Sequence, residues 1–149
     1  MASKNIYDDF IMDHIKNARG FRAIEDATRK ASGSNPLCGD DLVVYIILRY
    51  DRIEDVAFQC TCCGISMASA SMMTESVKGQ RADDVKSWLD DFTNALIARG
   101  DPALYGNDSV QHVLLNTVHS VPARTRCAAL PWLTLSAALE NRAETVSMR

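Results

Sequence analysis

The sequence predicts an α+β protein, and three features of the chain support that class. A β-hairpin is predicted near the middle, where Leu42 to Tyr50 is rich in Val, Ile and Tyr and Ile53 to Phe58 alternates apolar with polar residues. Helices are predicted on both sides of this hairpin, because apolar residues recur there at helical spacing. A cluster of cysteines follows the second strand directly and precedes a helix of small residues, Gly64 to Lys78.

The composition is typical of a soluble globular protein and argues against several functions. The 149 residues fit one domain, 1–149, with 47% apolar and 23% charged residues, and the net charge of -3 gives no sign of nucleic-acid binding. No membrane association is expected, since the longest apolar run, Leu42 to Leu48, is too short to span a bilayer and the N-terminus lacks the apolar segment of a signal peptide. A cytoplasmic location is therefore expected. In that reducing compartment the five cysteines should be ligands or reactive thiols rather than disulfide partners.

The elements before the hairpin are an amphipathic helix and a short strand. The helix opens the chain and ends near Gly20, and its apolar stripe consists of Ile6, Tyr7, Phe10, Ile11, Ile15 and Ala18. His14 falls on the same stripe and is expected in the core or at an interface rather than at a metal. Ala27 to Ala31 is expected to form a short strand. The hairpin then turns at Asp51-Arg52.

Four helices are predicted after the hairpin, each from a run of apolar or small residues between start and stop signals. They span Gly64 to Lys78, Val85 to Ile97, Val110 to Val118 and Cys127 to Glu140. The last helix should begin at Cys127, because Pro131 is tolerated only in the first turn, where no backbone N–H is needed. Residues 143–149 are expected to be a frayed tail.

The cysteines are expected to meet at one end of the hairpin. Cys63 should lie at the start of the small-residue helix, where unpaired backbone N–H groups favour a thiolate. The hairpin brings the end of its second strand next to the loop that contains Cys38 and Asp40. Cys127 should lie at another helix start. The candidate tetrahedral metal ligands are Cys38, Asp40, Cys63 and Cys127. The alternative is a buried cluster of free thiols.

Two arginines and one histidine lie close to Cys127 in the sequence. Arg126 is not expected to bind a metal, because a guanidinium has no lone pair to offer. The positive charge of Arg124 or Arg126 is expected to stabilise a neighbouring thiolate. His119 could be a further ligand, but a solvated histidine at a helix end is the preferred interpretation. No phosphate-binding loop is recognised, and the serines lack the His/Asp context of a hydrolase triad.

Four motifs stand out along the chain. They are Tyr7 with Ile11-Met12-Asp13-His14, then Asn35-Pro36-Leu37-Cys38-Gly39-Asp40, then Cys63 with Ile65 to Met73, and Arg126-Cys127-Ala128. Together they resemble the iron–sulfur assembly scaffold family, the NifU N-terminal or IscU-like proteins, from about Asn5 to Glu140. The long separation of Cys63 and Cys127, with an extra segment in the 81–106 region, is similar to the SUF-associated branch, SufU. Arg126 also resembles that branch, since IscU-type proteins have a ligand histidine there.

The resemblance implies a fold and a function. The fold would be a SufE/NifU-like three-stranded antiparallel sheet with helices packed on it and a metal site at one end. The protein would not be an enzyme in its own right. It would be a zinc-dependent sulfur acceptor and scaffold, which receives persulfide sulfur from a SufS-like cysteine desulfurase. Cys38 would leave the zinc and accept the sulfur, and a downstream SUF scaffold or an apo iron–sulfur protein would receive it.

Other functions remain open at this point. An IscU-type scaffold would hold a transient [2Fe-2S] cluster on Cys38, Cys63 and Cys127. A purely structural zinc module would keep its thiolates closed around the ion. A zinc hydrolase is the weakest alternative, because no general base is identified.

The chain departs from the family pattern in the loop before Cys63. Cys60 and Cys62 stand where the family usually has glycines, so the loop reads C-x-C-C, and Ala18 stands where a proline is common. The extra thiols could replace Asp40 as a ligand, relay a persulfide, or be oxidation-prone residues without a role. The loss of two glycines would restrict the loop.

Overall fold

Helices cover one side of a mixed sheet in the computed structural model, which describes residues 9–36, 39–106, 109–142 and 145–147. The elements in chain order are α1 Asp9–Lys16, β1 Arg29–Asn35, β2 Asp40–Arg49, β3 Arg52–Thr61, α2 Gly64–Val77, α3 Ala82–Ala98, α4 Val110–Ser120, α5 Thr125–Leu139 and β4 Val146–Ser147. Two short 3-10 helices, Pro102–Leu104 and Pro122–Arg124, precede α4 and α5. None of the helices in these described ranges is long and apolar enough to cross a membrane.

Within the described residues, the sheet has four strands in the order β3-β2-β1-β4, and it is mixed rather than antiparallel. β1, β2 and β3 pair antiparallel, as expected, whereas β4 pairs parallel to β1 through Gly33 and Val146. The expectation of a three-stranded antiparallel sheet was therefore wrong, and so was that of a frayed tail at 145–147. A strand of two residues is too short to show the alternation by which strands are recognised in a sequence.

The hairpin of β2 and β3 positions the chain segments that carry the candidate ligands Asp40 and Cys63. Tyr50 and Asp51 form its turn, with φ of 53° and 63°, one residue before the predicted position. Two consecutive residues in the left-handed region match the twist of the flanking strands. The register places Asp41 opposite Thr61, so the start of β2 and the end of β3 lie at the same end of the sheet. This confirms that the hairpin brings Asp40 next to the segment that contains Cys60, Cys62 and Cys63, whereas Cys38 lies outside the described residues.

The predicted helices are confirmed, with small shifts at their ends. α2 ends at Val77, two residues before Gly79, which adopts a positive φ of 87°. α3 ends at Ala98 and is followed by Arg99 in the left-handed conformation. α1 lies within the predicted opening helix, and residues 1–8 lie outside the described residues. β1 overlaps the expected short strand and is longer.

α5 begins earlier than predicted, so Pro131 lies in its interior rather than in its first turn. A proline in that position cannot donate a hydrogen bond to the carbonyl four residues earlier, which is that of Cys127. The Ser66 hydroxyl lies 3.0 Å from this carbonyl oxygen and can donate to it instead. The side chain from α2 thus replaces a bond that α5 cannot make.

The core lies between the sheet and the helices, with α5 at its centre. Trp132 is fully buried, and its ring centroid lies 4.8 Å from Phe92 and 6.0 Å from Trp88 on α3. His14 is also buried, as expected, and its Nδ1 lies 2.7 Å from the Ser71 hydroxyl on α2. The serines of α2 therefore do more than allow close packing, because they hydrogen-bond to the helices on either side.

We expect Gly33→Ala to destabilise the protein, because α5 passes directly over this point of β1. A methyl group at Gly33 would lie 2.1 Å from Thr134 Oγ1 and 3.0 Å from Leu130 Cδ1. Overpacking of this kind costs about 1–3 kcal/mol of unfolding free energy, measurable by urea denaturation. Thr134→Ala in the same chain should recover part of the loss. Gly106→Ala, whose new methyl group would meet no atom of the described part of the chain within 4 Å, is the control and should leave stability nearly unchanged. Equal stability of Gly33→Ala and the control would contradict this packing.

Candidate metal centre

Three potential metal ligands converge where β2, α2 and α5 meet. Asp40 begins β2, Cys63 immediately precedes α2, and Cys127 lies in the first turn of α5. One carboxylate oxygen and the two Sγ atoms all lie within 4.8 Å of one another. We call these residues the donor cluster. The hairpin and the two helix starts thus bring together residues that are far apart in the sequence, as predicted.

Cys63 is the N-cap residue of α2. Its backbone is extended, with φ of -74° and ψ of 168°, and its Sγ accepts a hydrogen bond of 3.5 Å from the Ser66 backbone N–H. An N-cap side chain that accepts such a bond normally carries oxygen, as in Ser, Thr or Asp. Here the acceptor is a sulfur, which gains most from the N–H group when it is a thiolate.

Asp40 holds the donor cluster together from the start of β2. Its side chain is 1% exposed, and its Oδ1 accepts a 3.0 Å hydrogen bond from the Cys63 backbone N–H. Its Oδ2 lies 3.0 Å from the Ser66 hydroxyl, which lies equally close to the Cys127 carbonyl oxygen. The single hydroxyl proton serves one of these oxygens at a time. Carboxylate oxygens have several lone pairs, so these contacts leave capacity for a metal.

Cys127 is fully buried, and Asn35 supplies a polar contact to its sulfur. The Asn35 Nδ2 lies 3.8 Å from the Cys127 Sγ and donates to it. The Oδ1 atom of the same buried amide accepts no hydrogen bond from the residues that the structure describes. The amide N–H of Asn35 is thus directed at the sulfur of one member of the donor cluster.

The pKa of Cys63 is lowered to about 5. The largest cause is the Cys127 thiol, which donates a hydrogen bond to the Cys63 sulfur, and the Ser66 backbone N–H also lowers the pKa. Burial and the negative charge of Asp40 act in the opposite direction. Cys63 is therefore a thiolate at neutral pH, which is the form that binds metal or attacks sulfur.

Cys60 and Cys62 are joined by a disulfide bond, contrary to the expectation that the chain would contain only thiols. Cys60 lies in β3 and Cys62 in the link to α2, and their Cα atoms are 5.5 Å apart, within the usual range for disulfides. The expectation came from the redox state of the compartment, whereas the chain path at the end of β3 is what brings these sulfurs together. Cys63 and Cys127 form no disulfide with another of the described residues.

The other candidate residues have different positions. Cys38 lies outside the described residues, so its place as a ligand stays a prediction, as does thiolate stabilisation by Arg124. Arg126 is exposed. His119 is exposed and its Nε2 lies 2.8 Å from the Gly100 carbonyl oxygen, so the preferred interpretation of this residue is confirmed.

The donor cluster fits a zinc ion by its chemistry and by its spacing. Zinc binds thiolates at ~2.3 Å and carboxylates at ~2.0–2.2 Å, so two ligand atoms of a tetrahedral ion lie ~3.4–3.8 Å apart. The three atoms already lie within 4.8 Å of one another, and one of the sulfurs is held as a thiolate. A fourth ligand is needed, and Cys38 precedes Asp40 by two positions.

Comparison with known proteins agrees with the geometry. The NifU-like N terminal domain matches residues 6–140. The chain belongs to this family. It is 32% identical to the iron-sulfur cluster assembly scaffold protein IscU of Thermotoga maritima, across 95% of this chain and 97% of that protein. It is 35% identical to the zinc-dependent sulfurtransferase SufU of Bacillus subtilis, across 87% of this chain and 86% of that protein.

The fold has a close counterpart among solved structures of the same family. The crystal structure of a putative iron-sulfur cluster assembly scaffold protein for the SUF system, from Fervidobacterium islandicum AW-1, superposes with a TM-score of 0.76. The two chains are 32% identical, and the match covers 90% of this chain and 96% of the other. The NifU-like resemblance expected from the motifs is thereby confirmed.

Ser66 is the residue of this NifU-like site that sequence reasoning missed. The sequence shows it only as one of the serines without the context of a hydrolase triad, yet in the structure it contacts Asp40, Cys63 and the Cys127 carbonyl. Two signals were present in the sequence. Ser66 lies three positions after the N-cap cysteine, and Pro131 leaves a carbonyl of α5 in need of a donor.

Alkylation of Cys63 in the metal-free protein should follow a pKa of about 5. Because the folded protein lowers this pKa below its ordinary value of 9.0, reactivity should persist from pH 9 down to about pH 5 and fall below that. Cys127→Ala removes the largest cause and should raise the midpoint towards the ordinary value. The measurement is the rate of iodoacetamide modification of the Cys63 peptide by mass spectrometry, with urea-unfolded protein as the control. A midpoint near 9 in the folded wild type would refute the assignment.

Proposed function

We propose that this chain is a SufU-type, zinc-dependent sulfur acceptor in iron–sulfur cluster assembly. It would receive persulfide sulfur from a cysteine desulfurase and would not be an enzyme in its own right. The observation that carries this proposal is the donor cluster, in which a thiolate, a second cysteine and a buried carboxylate lie within 4.8 Å of one another at the end of a hairpin. The likeness to the Bacillus subtilis zinc-dependent sulfurtransferase supports the same role.

The residues proposed to hold the zinc are Cys38, Asp40, Cys63 and Cys127. A bound zinc ion would supply charge that keeps its cysteine ligands deprotonated and protects them from oxidation. The chain's own contribution is the placement of the other three donors. The Cys63 backbone N–H and the Ser66 hydroxyl fix the Asp40 carboxylate, and Asn35 points its amide N–H at Cys127.

Cys38 is proposed as the sulfur acceptor. In the sequence it lies between β1 and β2, next to Gly39, which adopts a φ of 71°. No atom of the described residues lies within 4 Å of the place where a side chain at Gly39 would be. Cys63 and Cys127 are tied to helices, so they are the better anchors. The Cys38 thiolate would attack the outer sulfur of the desulfurase persulfide. The new S–S bond leaves a persulfide on Cys38, and the desulfurase cysteine departs as a thiolate.

Arg124 is proposed to stabilise a thiolate beside the donor cluster. Arg124 is the last residue of the 3-10 helix that leads into α5. Two positions later, Arg126 lines a cleft in the surface. The cleft has a volume of about 450 Å³ and is lined by Asn35, Ile97, Arg99, Pro122, Ala123, Thr125 and Arg126. Two of these side chains are cationic. A cationic opening next to Asn35 would attract an anionic sulfur carrier.

An IscU-type scaffold is the second candidate function. The Thermotoga maritima relative, which matches almost the full length of both chains, is named as a cluster assembly scaffold. A [2Fe-2S] cluster would then be cargo on Cys38, Cys63 and Cys127, before transfer to a downstream SUF scaffold or an apo iron–sulfur protein. Metal analysis with an absorption spectrum separates the two functions, since the zinc form is colourless and a cluster is brown.

We expect the purified protein to bind about one zinc ion per chain, as a tetrahedral site requires. Cys63→Ser should weaken zinc binding at least about tenfold, because it removes the anchored thiolate. The measurement is zinc retention in competition with a chromophoric chelator. His119→Ala is the matched control, since His119 bonds to a loop carbonyl away from the donor cluster. Undiminished zinc affinity in Cys63→Ser would rule out the ligand set.

We expect Cys38→Ala to abolish stimulation of a cysteine desulfurase, measured as alanine produced from L-cysteine. The joint change Cys60→Gly and Cys62→Gly should leave most of the stimulation intact, because it restores the family's usual loop and keeps the acceptor. If the double variant were inactive and Cys38→Ala remained active, the acceptor would lie in the C-x-C-C segment instead.

A further inference from the structure

We propose that Cys60 and Cys62 form a dithiol–disulfide couple that reduces persulfide sulfur held at the donor cluster to sulfide. The inference rests on the proposed sulfur-accepting function and extends it by a second activity. It addresses a need of cluster assembly, because a cluster contains sulfide, whereas persulfide sulfur must gain two electrons to become sulfide. The two thiols of this couple hold the two electrons that are required.

The geometry of the oxidised couple is already present in the fold. The two sulfurs are bonded while Cys60 keeps its place in the β-ladder opposite Leu42, so oxidation requires no loss of strand pairing. Both cysteines are half-buried rather than enclosed in the core. A cleft of about 570 Å³ beside Cys60 and Thr61 leaves room for a small thiol to approach.

The couple is also fixed next to the donor cluster. Cys62 directly precedes Cys63, and the Cys63 backbone N–H is hydrogen-bonded to Asp40 at 3.0 Å. On the other side, Cys60 itself pairs with Leu42, two positions after Asp40 in β2. The couple therefore lies between two points that are both tied to the same end of β2. Because the dithiol of Cys60 and Cys62 is held next to the donor cluster, it can react with a persulfide there without a diffusional encounter.

A purely structural role explains the disulfide poorly. A disulfide stabilises a protein mainly by closing a loop in the unfolded chain, and the effect decreases as the loop becomes shorter. Only Thr61 separates the two cysteines. The segment is also held without the bond, by the β2–β3 ladder on one side and by the Asp40 contact on the other.

The proposed reaction balances in two thiol exchanges. The Cys62 thiolate attacks the outer sulfur of a persulfide on Cys63, so that Cys62 carries the persulfide and Cys63 leaves as a thiolate. The Cys60 thiolate then attacks the Cys62 Sγ, which forms the disulfide and expels hydrosulfide. The dithiol is oxidised by two electrons, and the transferred sulfur is reduced by two.

Two further exchanges connect this reaction to the rest of the cycle. Sulfur first accepted by Cys38 reaches Cys63 when the Cys63 thiolate attacks its outer sulfur and Cys38 departs as a thiolate. The disulfide is returned to the dithiol by a cellular thiol reductant of the glutathione class, which is itself oxidised to a disulfide.

The test is a single turnover with the full chain and one equivalent of glutathione persulfide as the sulfur donor. The dithiol form should release about one sulfide per chain, and the peptide with Cys60 and Cys62 should end as the disulfide. The same chain with the disulfide formed beforehand should keep the sulfur as persulfide and release at least about tenfold less sulfide. Sulfide is measured by monobromobimane derivatisation and the cysteine state by mass spectrometry.

Two variants locate the steps. Cys60→Ser should stop with the persulfide on Cys62, whereas Thr61→Ser, a conservative change in the same loop, should behave as the wild type. The proposal is overturned if the dithiol form keeps its persulfide, if sulfide appears while Cys60 and Cys62 remain thiols, or if Cys60→Ser releases as much sulfide as the wild type. Failure of the proposed function would appear separately, as loss of desulfurase stimulation or of zinc binding.

Discussion

The fixed position of the Asp40 carboxylate is the constraint on which the rest of this site depends. It is a buried charge at the start of β2, and both of its oxygens contact groups at the start of α2. Hydrogen bonds to a charged group contribute about 1.5–3 kcal/mol each, and a buried carboxylate without them would be strongly destabilising. The hydrogen bonds that stabilise the buried Asp40 carboxylate also fix the distance between β2 and Cys63. The donor cluster is therefore assembled as the chain folds.

Cys127 is positioned by α5, a helix in which one backbone hydrogen bond is missing. Pro131 deprives the Cys127 carbonyl of its usual donor, and the Ser66 hydroxyl lies 3.0 Å from that oxygen. Ser69 donates to the next carbonyl, that of Ala128, at 2.6 Å and accepts a bond from the Trp132 indole. α2 is thus joined to α5 by polar contacts beside Cys63 and Cys127. The proline is better explained by this connection than as a start signal for α5.

Much of this arrangement could be predicted from the sequence, because it follows from local rules. The N-cap position of Cys63, the hairpin and the convergence of its ends depend on neighbouring residues and on strand geometry. β4 could not be predicted, since two residues carry no periodicity and their pairing with β1 is decided by tertiary packing. The start of α5 was misjudged for the same reason, because the partner that compensates Pro131 lies on another helix. Cys38 and Arg124 remain predictions, the first because it lies outside the described residues.

The C-x-C-C segment shows how a departure from a family pattern can be interpreted physically. Glycine is favoured where the backbone adopts a positive φ. In the described residues, the positive φ values outside glycine occur at Tyr50, Asp51, Arg99 and Asn141. Cys60 and Cys62 are not among them, so the loss of two glycines does not force this loop into a strained backbone. That the substitutions restrict the freedom of the loop stays a prediction, because an unstrained backbone does not show how freely the loop moves. Side chains at these two positions are compatible with the fold, and what they add is chemical: two sulfurs within bonding distance of each other, directly before the thiolate of the donor cluster.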